Sequence, residues 1–86
     1  MSFRDKKGVT LALYAEIEKV DEDEERVRYR YTDIQGSQYT LVLNKATEVI
    51  ASENGADDML YRAVARKIAA AWLDSKATPE RLVVQS

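Results

Sequence analysis

Residues 9–32 read VTLALYAEIEKVDEDEERVRYRYT, and apolar and polar side chains alternate through both halves of this stretch. A period of two residues predicts β-strands that bury one face. The first strand, residues 9–20, has apolar side chains at its odd positions: Val9, Leu11, Leu13, Ala15 and Ile17. The second strand, residues 26–32, has an inner face of apolar and aromatic residues: Val27, Tyr29 and Tyr31. Its outer face carries three arginines, here called the arginine row: Arg26, Arg28 and Arg30.

The acidic residues 21–25 separate the two strands and predict a hairpin turn exposed to solvent. The register of the hairpin can be described by the sum of the residue numbers of two facing residues. Glu16 and Glu18 share a face with the arginine row only if this sum is even, because a slip of one residue moves one strand's side chains to the other face. A sum of 46 pairs Glu18 with Arg28, and a sum of 44 pairs it with Arg26. Each opposite-charge pair stabilises a hairpin by about 0.2–1 kcal/mol, so the sequence leaves both registers open.

The rest of the chain adds further strands and one helix. A turn at 33–37 precedes a third strand at 38–44, and residues 47–53 are predicted to form a fourth strand of ambiguous facing. Residues 56–75 have the spacing of an amphipathic helix. The segment 80–85, after a proline that cannot continue the helix, has the composition of a strand. It either joins the sheet of its own domain or pairs with a second chain.

The predicted helix has two distinct sides. Its buried side carries apolar and aromatic residues at helical spacing: Leu60, Tyr61, Val64, Ala65, Ile68, Ala71 and Trp72. Its outer side mixes basic, small and apolar residues: Met59, Arg62, Arg66, Ala69, Ala70 and Leu73. Asp57 and Asp58 are expected in the first turn, where the helix dipole favours acidic side chains.

These elements predict one α+β domain of 86 residues. An antiparallel β-meander of three or four strands, residues 9–53, packs against one long α-helix, residues 56–75. A short C-terminal strand or docked tail follows at 80–85, and residues 1–7 are expected to be a flexible N-terminus.

The amino-acid composition limits the kinds of catalysis and metal binding that the chain could support. The chain has no cysteine, which excludes disulfides, thiolate zinc sites and thiol nucleophiles, and it has no histidine, the usual acid–base group near neutral pH. No apolar stretch approaches the roughly 20 residues that span a bilayer. We therefore expect a cytoplasmic protein that is not an enzyme, needs no cofactor and binds no membrane.

The arginine row lies on a sheet face that a single helix on the other side would leave open. This arrangement resembles DNA-binding domains of the β3α type, in which arginines on a three-stranded sheet reach base edges in the major groove. The resemblance is one of architecture over residues 9–72, without a shared motif. A net charge of −2 and the acidic turn oppose binding to phosphates, so nucleic acid is a disfavoured partner.

Carboxylates suggest two other sites, and the sequence supports neither. The acidic turn has the alternating oxygens of a calcium loop, but it has Arg26 and Thr32 where an EF-hand needs glycine and glutamate. Asp57 and Asp58, with Glu48 and Glu53 upstream, could in principle serve hydrolysis, but helix-start residues explain the two aspartates more simply. Asp58 is also spaced to pair with the arginine four residues later.

The aromatic residues are mainly assigned to the core: Tyr29, Tyr31, Tyr39, Tyr61 and Trp72. Tyr14 is the exception, because it points outward beside the arginine row and is expected to stack with Arg30.

The sequence thus predicts a small non-enzymatic interaction module that binds a protein partner or itself. One candidate surface is the open sheet face, with Tyr14, the arginine row and Val42. The other is the outer helix surface, with Met59, Arg62, Arg66 and Leu73. The alternatives are a DNA-binding sheet face and a carboxylate-based enzyme.

Overall fold

A computed structural model of the chain describes residues 13–55 and 57–85. The chain order is β1 (Tyr14–Glu22), β2 (Arg26–Asp33), β3 (Gln38–Asn44), β4 (Val49–Ser52), α1 (Met59–Ser75) and β5 (Arg81–Gln85). The strands form one sheet in the order β4-β3-β2-β1-β5, and every neighbouring pair is antiparallel. The predicted α+β architecture is confirmed. The expectations for residues 1–7, Val9 and Leu11 lie outside the described residues.

The core lies between one face of the sheet and α1. Its buried members alternate along the strands as predicted and include two helical residues: Ala15, Ile17, Val27, Tyr29, Tyr31, Leu41, Leu43, Val64, Ile68 and Val84. The buried hydroxyl of Tyr29 donates a hydrogen bond to the carbonyl of Pro79 at 2.8 Å, so this polar group is satisfied inside the core. The other face of the sheet, which carries the arginine row, has no helix on it within the described residues.

The first hairpin has neither of the two predicted registers. Glu18 faces Arg30, which gives a sum of 48, so the even sum was right and both specific pairings were wrong. β1 continues to Glu22, which faces Val27, because the carboxylate of Asp23 closes the turn by accepting hydrogen bonds from the backbone N–H groups of Glu25 and Arg26. The pair Glu22 and Val27 has an odd sum of 49. A β-bulge between Lys19 and Asp21 shifts the register by one residue, so the pairs farther from the turn have the even sum of 48. The prediction assumed an uninterrupted ladder and placed residues 21–25 in the turn.

The second hairpin turn follows β2 directly. The Asp33 carboxylate accepts hydrogen bonds from the backbone of Gln35 and Ser37, both at 2.9 Å, and Gly36 has a φ of 89°. Glycine adopts this conformation without the steric cost that a side chain would add. β4 then packs with Ile50 toward the core and Val49 toward solvent, which settles the facing that the sequence left ambiguous.

The helix begins after the two aspartates rather than with them. Asp58 is the N-cap, and its carboxylate accepts the backbone N–H of Tyr61 at 2.8 Å. No acidic residue lies in the first turn, so that expectation was wrong: Asp58 satisfies a helix donor from outside. Lys76 ends the helix in the left-handed conformation. Among the described residues, no helix is both long and apolar enough to cross a membrane.

The C-terminal segment is a strand of its own domain. β5 pairs with β1 over five residue pairs, from Tyr14 opposite Gln85 to Glu18 opposite Arg81. Lys19 donates its backbone N–H to the carbonyl of Glu80 at 2.8 Å and extends the ladder. β5 is therefore an edge strand, next to α1.

Candidate interaction surfaces

The arginine row is largely neutralised by carboxylates on the open sheet face. Arg28 forms a bidentate ion pair with Glu53, whose two oxygens lie at 2.9 and 3.2 Å from the guanidinium nitrogens. It also donates a hydrogen bond to Asp21 at 2.9 Å. The hydrogen bond from Arg28 is the main reason why the pKa of Glu53 lies below its ordinary value. Bidentate pairs hold both side chains in a fixed geometry. The three donor groups of Arg28 that face these carboxylates are thus already occupied.

Arg30 belongs to a second charged cluster on the same face. It donates to Glu18 at 2.8 Å, and Arg81 on β5 approaches the same carboxylate at 3.7 Å. The hydrogen bond from Arg30 is the main cause of a lowered pKa for Glu18. Within residues 13–55 and 57–85, Arg26 is the member of the arginine row without an ion pair.

Tyr14 and Val42 also lie on this face. The hydroxyl of Tyr14 donates to Glu16 at 2.6 Å, so the predicted contact with Arg30 is replaced by a pair within β1. The sheet register explains the difference, because Glu18 rather than Tyr14 is the neighbour of Arg30. Val42 on β3 faces Arg28 on β2. It lines a shallow pocket of about 30 Å³, roughly the volume of one water molecule.

The carboxylates that the sequence suggests for catalysis lie apart from one another, and each has a hydrogen-bond or ion-pair partner. Asp57 binds Arg62 at 2.9 Å, whereas the predicted pair was Asp58 with Arg62. The carboxylate of Asp58 caps the helix instead. Glu48 accepts from Trp72 Nε1 at 2.8 Å and from Lys76 Nζ at 2.6 Å, and the bond from Lys76 is the main cause of its lowered pKa. The described residues contain no cluster of three or more potential metal ligands.

A polar network that the sequence did not predict joins the first hairpin to the chain after α1. Glu22 accepts from Lys19 Nζ at 2.7 Å, and its other oxygen binds Lys45 Nζ at 2.6 Å and Thr78 Oγ1 at 2.9 Å. These contacts, led by Lys19, lower the pKa of Glu22 to about 2. Lys19 is only three residues from Glu22, but Lys45 and Thr78 are distant in sequence, so local spacing does not predict the network.

The outer helix surface is exposed as predicted. Met59 is 70% exposed and Leu73 is 63% exposed, while Arg62 and Arg66 are also on the solvent side. Single exposed apolar residues are common on protein surfaces, so exposure alone does not define a site.

A groove between α1 and β5 was also missed. It has a volume of about 470 Å³ and is lined on the helix side by Ala63, Arg66, Lys67 and Ala70. Val83, Val84 and Gln85 contribute the strand side. The two alanines, seven residues apart, keep the helix narrow where it faces the strand. That spacing was visible in the sequence, but its meaning required knowing that β5 lies beside α1.

No known protein family, curated protein or solved structure matches this chain in comparisons of its sequence and fold. The functional conclusion therefore rests on the geometry of the described residues.

Proposed function

We propose that the protein is a small, non-enzymatic, cytoplasmic interaction module that binds a segment of another protein. The observation that carries the proposal is the groove between α1 and β5. Its helix side combines small side chains with two basic residues, Arg66 and Lys67. Within the described residues, neither of these basic side chains has an ion pair. They are therefore available to a partner.

The same geometry disfavours the two alternative functions. On the sheet face, Arg28 and Arg30 are bound by carboxylates, and a DNA phosphate would have to displace these before it could bind. The carboxylates proposed for catalysis each have a structural partner: Asp57, Asp58, Glu48 and Glu53. The absence of cysteine favours a reducing compartment, which is the basis for proposing a cytoplasmic site of action.

A selection with displayed random peptides tests the proposed function. The immobilised full chain should enrich peptides that share a motif, and these should bind the Ala70→Trp variant poorly because the indole fills the groove. Ala70 is exposed, so this change leaves the core intact. Val49→Trp, at the far edge of the sheet, is the matched control and should bind normally. No enrichment above an unrelated domain of similar size, or equal binding to both variants, would contradict the proposal.

A further inference from the structure

The outer edge of β5 presents backbone groups that pair with no strand among the described residues. Lys19 donates to the carbonyl of Glu80, and in an antiparallel pair such hydrogen-bonded positions alternate with positions whose N–H and C=O groups point away. The pairing of β5 with β1 therefore turns the backbone of Arg81, Val83 and Gln85 outward. No described strand pairs with this side of β5, which is the end of the sheet. The groove lies directly beside these groups.

The opposite edge of the sheet is protected. β4 has only four residues, and by the same alternation the backbone of Ile50 faces outward from it. The carbonyl of Ile50 accepts a hydrogen bond from the hydroxyl of Tyr61 at 3.2 Å. A helix side chain thus occupies the edge of β4, whereas α1 is separated from the edge of β5 by an open groove. Unpaired edges are templates for an added strand, and within residues 13–55 and 57–85 the edge of β5 is accessible.

Charge indicates what kind of strand fits. Arg66 and Lys67 lie along the helix side of the groove, and Arg81 is exposed at the start of β5. Among the described residues, no carboxylate lines the groove. An incoming strand alternates its side chains between the two faces, so every second one would meet the basic helix side and the others would meet the exposed face of Val83.

We propose that β5 binds an extended, acidic segment of a partner protein as an additional strand in the groove beside α1. The proposal rests on the proposed function and specifies its partner and binding mode. Main-chain hydrogen bonds to Val83 and Gln85 hold the segment, and alternate acidic side chains pair with Arg66 and Lys67. This mode of recognition combines sequence-independent backbone pairing with side-chain selectivity.

Two other occupants fit the charge less well. A second copy pairing β5 with β5 about a twofold axis would bring two sets of Arg66 and Lys67 toward one another, and like charges oppose such pairing. The chain's own first twelve residues carry Arg4, Lys6 and Lys7 against Asp5, so they are also basic. Both occupants are outcomes that the experiment distinguishes.

The probe is a short capped peptide that alternates glutamate and valine, added to the ¹⁵N-labelled full chain. The amides of Arg81, Val83 and Gln85 should shift and become protected from hydrogen exchange by about tenfold or more, because they form new backbone bonds. A peptide with lysine in place of glutamate should bind at least about threefold more weakly. Peptides N-methylated at alternate residues provide a backbone control: one of the two alternating sets should abolish binding and the other should retain it.

Variants of the protein test both contacts. Lys67→Glu should weaken binding of the glutamate peptide by about threefold to fivefold, the size expected for an exposed ion pair, while Arg26→Glu on the open sheet face, an equal change of charge, should have no effect. Val83→Pro removes an outward donor and spares the ladder to β1, so it should preserve the fold and abolish binding. Circular dichroism checks the fold of each variant.

The possible results separate this proposal from the proposed function. Peptides enriched by display that bind without protecting Val83 and Gln85 would overturn strand addition and leave the interaction module standing. Protection of these amides in the free chain that disappears at low concentration would assign the edge to a second copy. Protection that disappears after deletion of the first twelve residues would assign it to the chain itself. Either result would overturn the proposal.

Discussion

At the scale of single residues, Glu22 shows how one side chain can connect distant segments. Its carboxylate binds Lys19 from its own strand, Lys45 from the loop after β3 and Thr78 from the segment before β5. Its side chain is only 29% exposed, so these charge-assisted bonds are partly shielded from water. The network fastens the tip of the first hairpin to the chain that leads into β5.

The lowered pKa of Glu22 predicts a specific pH dependence of stability. Its pKa falls from 4.5 to about 2 on folding. At pH values between these two, the folded state therefore binds fewer protons than the unfolded state. The stabilisation is complete above about pH 4.5 and is lost as the pH falls toward 2. Glu22→Gln should therefore lower the free energy of unfolding near pH 7 by about 1–2 kcal/mol, with a difference from the wild type that shrinks in acid.

Urea denaturation of both proteins at neutral pH and between about pH 4.5 and 2, the interval set by the lowered pKa of Glu22, measures this difference. Glu24→Gln is the matched control, because Glu24 is an exposed neighbour in the same hairpin. Its effect on the free energy of unfolding should be small at every pH. A Glu22→Gln effect that stays constant from neutral to acidic pH would contradict the assignment.

At the scale of elements, the turn between β2 and β3 depends on the backbone conformation of Gly36. Its φ is 89°, and an added Cβ would meet no atom within 4 Å, so a substitution there acts on the backbone rather than on packing. Gly36→Ala should lower the free energy of unfolding by about 1–2 kcal/mol, and Gly36→Asn should lower it less, because asparagine tolerates positive φ. Chemical denaturation measures both values. Equal costs for the two variants would show that positive φ is not the cause.

At the scale of the whole molecule, the paired charges on the open sheet face determine how it meets DNA. We expect a mixed-sequence duplex at physiological salt to leave the amides of residues 26–30 and Val42 unshifted in a two-dimensional NMR spectrum. Arg28 and Arg30 are already bound by Glu53 and Glu18, and the net charge is −2. Screening weakens whatever attraction to phosphate is left.

The double variant Glu18→Gln, Glu53→Gln provides the complementary test. It removes two negative charges from a chain of net charge −2, which brings the net charge to zero. Within the described residues it also takes away the carboxylate partner of Arg30 and leaves Arg28 with Asp21 alone. This variant should show shifts at residues 26–30 at low salt that disappear as salt is added. Shifts in the wild-type protein that persist at physiological salt would instead establish the sheet face as a nucleic-acid surface.

Alternation was strong enough to locate β2 and β3 and to identify Tyr29, Tyr31, Leu41 and Leu43 as core, because a two-residue period is a local property. The register was not local in this sense. It depended on how Asp23 closes the turn and on the bulge before Asp21, and both are features of backbone hydrogen bonding that residue spacing does not reveal. The capping role of Asp58 was likewise hidden until the first residue of the helix was known.

The sequence by itself determined the α+β class, the inner face of each central strand and the placement of the arginine row on the open face. Each of these follows from periodicity along a short stretch of chain. Only the tertiary structure decided that Arg28 and Arg30 are neutralised, that β5 joins β1 and that α1 lies beside a strand edge with no partner among the described residues. These features depend on contacts between segments far apart in the chain, and such contacts are fixed only when all the elements pack together.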